Sequence, residues 1–160
     1  MNIVDAVTHR HLDEVRRLFI EYERYLNVDL CFQDYAAELA GLPGSYAGPQ
    51  GVLLLAVDNE RPAGCVAVRP LAPNACEMKR LFVRNAHRGT GLGRRLAQRS
   101  IHEAVRRGYR TMRLDTLERL HQAVALYTSL GFRRIDPYYH NPLQGVIYLE
   151  LDLKSVSADP

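Results

Sequence analysis

The residues best suited to chemistry lie between positions 76 and 93, in the run CEMKRLFVRNAHRGTGLG. An apolar strand pattern there runs into a basic, glycine-rich turn, Arg88-Gly89-Thr90-Gly91-Leu92-Gly93. The turn opens directly onto a helix pattern. A helix N-terminus carries unpaired backbone N–H groups and a partial positive charge. Glycines let that backbone approach an anion closely, so together they make a phosphate cradle. Eleven basic residues and one acidic residue, Glu103, fall between Lys79 and Arg113, in a chain of net charge +3. A small polyphosphate is the ligand this pattern calls for.

Two familiar phosphate motifs do not fit. A P-loop needs a Lys and a Ser or Thr after its last glycine, and Gly93 is followed by Arg94 and Arg95. A dinucleotide fingerprint needs a third glycine where this chain has Arg94 or Leu96. What remains is R-x-x-G-x-G at Arg88, Gly91 and Gly93, preceded by Glu77-Met78-Lys79-Arg80-Leu81-Phe82-Val83 and followed later by Leu126-Tyr127-Thr128-Ser129-Leu130-Gly131-Phe132. In that order and spacing, these three motifs resemble the GNAT family of N-acetyltransferases over roughly residues 1 to 153. The resemblance implies a three-layer α/β fold, a twisted mixed sheet flanked by helices and splayed beside its central strand. It also implies acetyl-CoA as co-substrate. One departure is Leu120, where many family members carry an Asn that touches the cofactor.

Carried over by motif, the pyrophosphate would lie on backbone N–H groups of Arg88, Gly89, Thr90, Gly91, Leu92, Gly93 and Arg94, with Arg88 and Arg94 adding charge. The pantetheine arm carries two amides and can pair with an open strand edge; Leu81, Phe82 and Val83 form that stretch, acting through main chain at Leu81 and Val83. Tyr127 matches the general acid that protonates the departing thiolate. The incoming amine must lose a proton. Glu77 stands four residues before Leu81 and six before Val83, an even spacing that predicts one shared strand face and a general base whose partial burial would raise its pKa. A salt bridge from Glu77 to Lys79 or an Arg is the alternative. Cys76 has no histidine base nearby in sequence and makes a poor nucleophile. Tyr138, Tyr139 and Asn141, in the loop between the last two strands, are candidate acceptor contacts. The histidines show no ligand spacing, so no metal is expected.

The rest of the chain must position these groups. Its 160 residues, 24% charged and 47% hydrophobic, suit one globular domain over 1–160. Three cysteines without C-x-x-C spacing suggest free thiols. With no secretory pattern and no long apolar run, a cytoplasmic location away from membranes is expected. Strands are expected at Asn2–Val7, Gly51–Val57, Ala63–Arg69, Ala75–Val83, Thr111–Leu114, Phe132–Ile135 and Val146–Leu153. Helices are expected from about Thr8 to Leu26, at Asp34–Leu42, Gly91–Arg107 and Glu118–Leu130, with Ser155–Pro160 a frayed tail. The acceptor is expected to be a small-molecule or peptide amine, and homodimer formation is left open. Two other classes stay open at this stage. One is an acyl-CoA sensor without catalysis. The other is a nucleic-acid module built on the basic helix, although nothing resembles a recognition fold.

Overall fold

The structure is a computed structural model that describes residues 1–157. Its core is a seven-stranded sheet of β1 (Asn2–Asp5), β2 (Val52–Asp58), β3 (Arg61–Ala72), β4 (Ala75–Val83), β5 (Thr111–Leu117), β6 (Arg133–Ile135) and β7 (Val146–Asp152). The order is β1-β2-β3-β4-β5-β7-β6, antiparallel except for the parallel pair β4–β5. Helices α1 (His9–Leu26) and α2 (Tyr35–Ala40) cover one face; α3 (Leu92–Arg106) and α4 (His121–Ser129) cover the other. This is the expected three-layer α/β arrangement. No helix among the described residues is long and apolar enough to cross a membrane.

Local chemistry accounts for the helix boundaries. The Thr8 side chain accepts from His11 N–H at 3.1 Å and caps α1, and Asn27 ends it in the left-handed region. Val15, Leu18, Phe19 and Leu26 form the buried stripe. Because the helix starts at His9, Asp13 and Glu14 lie past its first turn and pair with Arg16 and Arg17 instead. Helix α4 begins three residues later than expected, at His121, because β5 runs on to Leu117, which pairs with Val146. The C-terminal segment is not uniformly frayed. Leu153–Ser155 makes a short 3-10 turn and Val156 packs on the core; residues 158–160 lie outside the described part.

The feature that most shapes the cleft side of the sheet is a bulge in β4. Cys65 faces Phe82 and Ala67 faces Lys79, so two steps along β3 match three along β4. Arg80 supplies the extra residue, with φ of 61°. A bulge resets the alternation of side chains. Cys76 and Met78 face α3, Lys79 and Arg80 both turn toward α1 and α2, and then Leu81 and Val83 face α3 while Phe82 faces α1. The shared face expected for Glu77, Leu81 and Val83 is therefore not found: Glu77 lies on the opposite face from the other two. Its carboxylate takes Arg69 at 2.8 Å and the Tyr138 hydroxyl at 2.6 Å.

At the same bulge, a Cβ on Gly64 would stand 2.6 Å from the Phe82 carbonyl oxygen, a backbone atom that cannot step aside. Gly64→Ala is expected to lower unfolding stability by about 1–3 kcal/mol. At Gly93 a Cβ would meet only side-chain atoms at 3.8 Å. Gly93→Ala is expected to leave stability within about 1 kcal/mol or raise it, since Ala favours helix. Urea denaturation of both variants checks the contrast.

Candidate active site

The cradle forms where β4 hands over to α3. After a short turn at Asn85–His87, Gly89 and Gly91 take φ of 76° and 82°. Thr90 fixes the turn by donating from its hydroxyl to the His87 carbonyl at 2.6 Å. The first amide of the helix with a backbone partner is that of Arg95, which donates to Gly91 at 3.1 Å. Among the described residues nothing accepts from the N–H groups of Gly89 through Arg94, so this helix N-terminus presents a run of free donors. A Cβ on Gly89 or Gly91 would meet nothing within 4 Å; backbone conformation demands the glycines, and the loop faces open space.

The arginines around the cradle divide. Arg94 reaches Ser129 on α4 at 2.7 Å and stays exposed. Arg88 turns away from its expected place beside the phosphates. Its Nε donates to the Val83 carbonyl at 3.0 Å and its guanidinium sits 4.2 Å over the Tyr25 ring, tying the end of β4 to α1. Arg99, Arg106 and Arg107 all pair with Glu103, whose single negative charge offsets one of their three.

Strands β4 and β5 pair only from Ala75 to Glu77 against Thr111 to Arg113, then part. The gap is a cleft of about 530 Å³ between the end of α1 and the start of α4. Arg84 N–H donates back to Ala63 on β3 at 2.9 Å. By alternation, the Leu81 and Val83 peptide groups point the other way, into the gap left by β5. Phe82 is buried against α1, so its side chain is core. Tyr127 lines the cleft, packed edge-on against Phe132 at 5.7 Å, and its hydroxyl bonds to no described residue. Burial pushes its phenol pKa up, so it holds its proton at neutral pH. Leu120 also lines the cleft, so the departure noted at this position places an apolar side chain there.

On the α1 face the cleft meets a polar cluster. Of the three loop residues expected to meet an acceptor, Asn141 lines the cleft, while Tyr138 and Tyr139 do not. The two tyrosine rings meet Tyr148 edge to face, and each other at a tilt, at 5.4–5.7 Å, and hold the loop over β5 and β7. Tyr138 bonds to Glu77, and Tyr139 and Asn141 both donate to Asp115 Oδ2, Asn141 at 2.8 Å. Glu77 is 1% exposed and does not line the cleft; its place corresponds to the salt-bridge alternative. The carboxylate that does line it is Asp115, with Oδ1 clear of these donors. Sequence reading missed it because β5 was expected to stop at Leu114. Lys79 was missed too. It sits in the cleft beside Gln33, and burial, then Arg80, lowers its ammonium pKa to about 8. Cys76 is buried, and burial pushes its thiol up to about 12, which leaves no reactive thiolate.

A cleft lined by Leu81 and a protonated Tyr127 is thus followed along β4 by a helix start with free amides, where Gly93 lies beside the Val83 and Leu126 side chains. The profile of the Acetyltransferase (GNAT) family matches residues 12–132. A protein of Schizosaccharomyces pombe named as an uncharacterized N-acetyltransferase is 44% identical over 144 residues, covering 89% of this chain and 88% of that one. A GNAT-family acetyltransferase structure from Staphylococcus aureus Mu50 superposes with a TM-score of 0.80 at 20% identity, covering 95% and 98% of the two chains. An aminoglycoside 6′-N-acetyltransferase in complex with coenzyme A gives a TM-score of 0.71 at 18% identity, covering 96% and 97%. At those identities the two solved structures speak for the fold. The chain belongs to the GNAT family and is an acyl-CoA N-acyltransferase.

Proposed function

We propose that the enzyme moves an acetyl group from acetyl-CoA to a primary amine by direct attack with both substrates bound. The observation that supports this reading is a β4 edge that parts from β5 and lines one cleft with Tyr127 at Leu81, then leads through Val83 to the free amides of Gly89–Arg94, with Gly93 beside Val83 and Leu126. The pyrophosphate lies on the helix N-terminus and the pantetheine amides pair with the strand edge. The thioester then reaches the wide end of the gap.

The amine nitrogen attacks the thioester carbon, and its surplus proton passes to Asp115 directly or through water. As the carbon–sulfur bond breaks, the sulfur leaves with the electron pair and takes the Tyr127 hydroxyl proton. Solvent then restores the tyrosine. Asp115 has the position for base work: it faces the cleft, and Tyr139 and Asn141 fix its carboxylate. Glu77 holds Tyr138, Arg69 and Lys79 in place behind it. The buried Cys76 thiol argues against an acyl-enzyme route. The Glu103 carboxylate set among three α3 arginines lowers by one the charge that a nucleic-acid surface would need. Three free thiols fit a reducing, cytoplasmic setting.

Gly91 tests the cradle with two nearly isosteric changes. Both Asn and Asp tolerate the left-handed backbone at this position. Gly91→Asn is expected to keep acetyl-CoA affinity within about fivefold, while Gly91→Asp, which adds a negative charge beside the phosphates, weakens it by at least about 10². Calorimetry at one ionic strength reads the difference; equal affinities would place the phosphates elsewhere.

Kinetics separate the two proton roles. Asp115→Asn is expected to lower turnover about 10–10³-fold with cofactor affinity nearly unchanged. That loss shrinks as pH rises, because solution then supplies more free amine. Tyr127→Phe is expected to lower turnover with a different signature, smaller for acyl donors with a more acidic thiol. Glu77→Gln serves as the control: if it, and not Asp115→Asn, alters the pH–rate profile, the base is Glu77.

A further inference from the structure

The charge lining the cleft narrows the choice of acceptor. Three side chains there are cationic, Lys79, Arg80 and Arg119, and Asp115 is the one carboxylate among the described lining residues. Arg80 is neutralised by a two-pronged bond to Glu38 at 2.9 and 3.0 Å. Lys79 is not neutralised in this way. Its side chain is 5% exposed, its shortest contact is the neutral Gln33 oxygen at 3.2 Å, and Glu77 stands 3.7 Å away. The Glu77 oxygen nearest Lys79 already takes Arg69 at 2.8 Å. Arg119 bonds to the Leu26 carbonyl and pairs with no described carboxylate. The lining therefore holds more positive than negative charge, with the single Glu77 carboxylate behind it shared between Lys79 and Arg69, and a buried ammonium is costly unless an anion meets it fully.

The arrangement of the two signs matters as much as the sum. Lys79 stands on β4 and Asp115 on β5, on the same face of the sheet, across the gap where the strands part. Leu26, Leu117, Leu120 and Leu143 line the remaining wall. A polycationic amine would meet Lys79 and Arg119 with no matching acid beyond Asp115. A molecule with an ammonium at one end, a carboxylate at the other and an uncharged body would satisfy both lips and the apolar wall.

We propose that the acceptor is a small amine that carries its own carboxylate, of amino-acid type with an apolar side chain, and that Lys79 selects it by pairing with that carboxylate. This rests on the acyl-transfer reading above, with Asp115 receiving the amine. Charge-assisted pairing in a desolvated site is strong. A site built around a charged group also rejects analogues that lack the partner.

The test measures CoA release by the full chain with saturating acetyl-CoA. The acceptors are leucine, methionine and phenylalanine, each beside its α-amide and its decarboxylated amine, with spermidine as the polycation. The free acids are expected to exceed their amides in kcat/KM by at least about tenfold, with spermidine poorest. Lys79→Met is expected to bring that ratio toward one by raising KM for the acids, and Lys79→Arg to restore most of it. Lys79→Gln gives the same reading should the Met variant fold poorly. Amides, plain amines or spermidine matching the acids would overturn the inference while leaving acyl transfer intact. Acetyl-CoA binding by calorimetry without CoA release to any amine would overturn the transfer reading, and the inference with it.

Discussion

One buried guanidinium organises the molecule. Arg80 sits inside the central strand with a left-handed φ of 61° and is 4% exposed. For a residue with a side chain that conformation costs about 1–2 kcal/mol, and an unpaired charge at this depth would cost more. The surroundings supply what offsets it. Glu38 grips Nε and Nη2, Gln33 takes a further bond at 2.7 Å, and the Tyr35 and Tyr22 rings lie 4.8 and 5.9 Å beneath. Removing one partner of such a pair typically destabilises by about 3–5 kcal/mol. The α1–α2 layer is thereby fastened to the sheet at the residue where β4 changes phase.

Both halves of the proposed chemistry follow from that phase change. Beyond the bulge, Leu81 and Val83 turn their side chains toward α3 and their peptide groups toward a gap that β5 no longer fills. Before it, Lys79 keeps its place on the α1 face, opposite Asp115. In the proposed reaction the donor's arm and the amine would thus reach one gap from different sides, with Tyr127 reaching in from α4. Arg88 closes the far end by tying the Val83 carbonyl to Tyr25, which orients the strand's last residue toward the cradle. The loop between β6 and β7 adds stiffness: its tyrosine rings pack against each other and Tyr148, and their hydroxyls and Asn141 pin Glu77 and Asp115.

Much of this was legible in the residues because local chemistry decides it. Strand β4 has the bounds its apolar run predicts, and α3 falls within a residue at each end, framed by Gly91 and Gly108, both at positive φ. Tyr127 could be placed because Gly131, at φ of 101°, ends its helix at the expected spot. The phase of β4 was not legible. Lys79-Arg80-Leu81-Phe82 reads as ordinary alternation, and only the distant Glu38, Gln33 and Tyr35 draw both cations to one side. The face of Glu77 was misjudged for that reason. Asp115 was hidden by a related one: β5 owes its last three residues to pairing with β7, a long-range contact that no local pattern announces.

The central claim is that a parted strand edge and a glycine-rich helix start form one continuous seat for acetyl-CoA. Amide hydrogen exchange, read residue by residue with and without acetyl-CoA, addresses it most directly. The account predicts added protection at Leu81 and Val83 together with Gly89 through Arg94. It predicts no change at Cys76 and Glu77, which β5 already covers. Protection confined to the turn, or appearing on another face of the sheet, would contradict it.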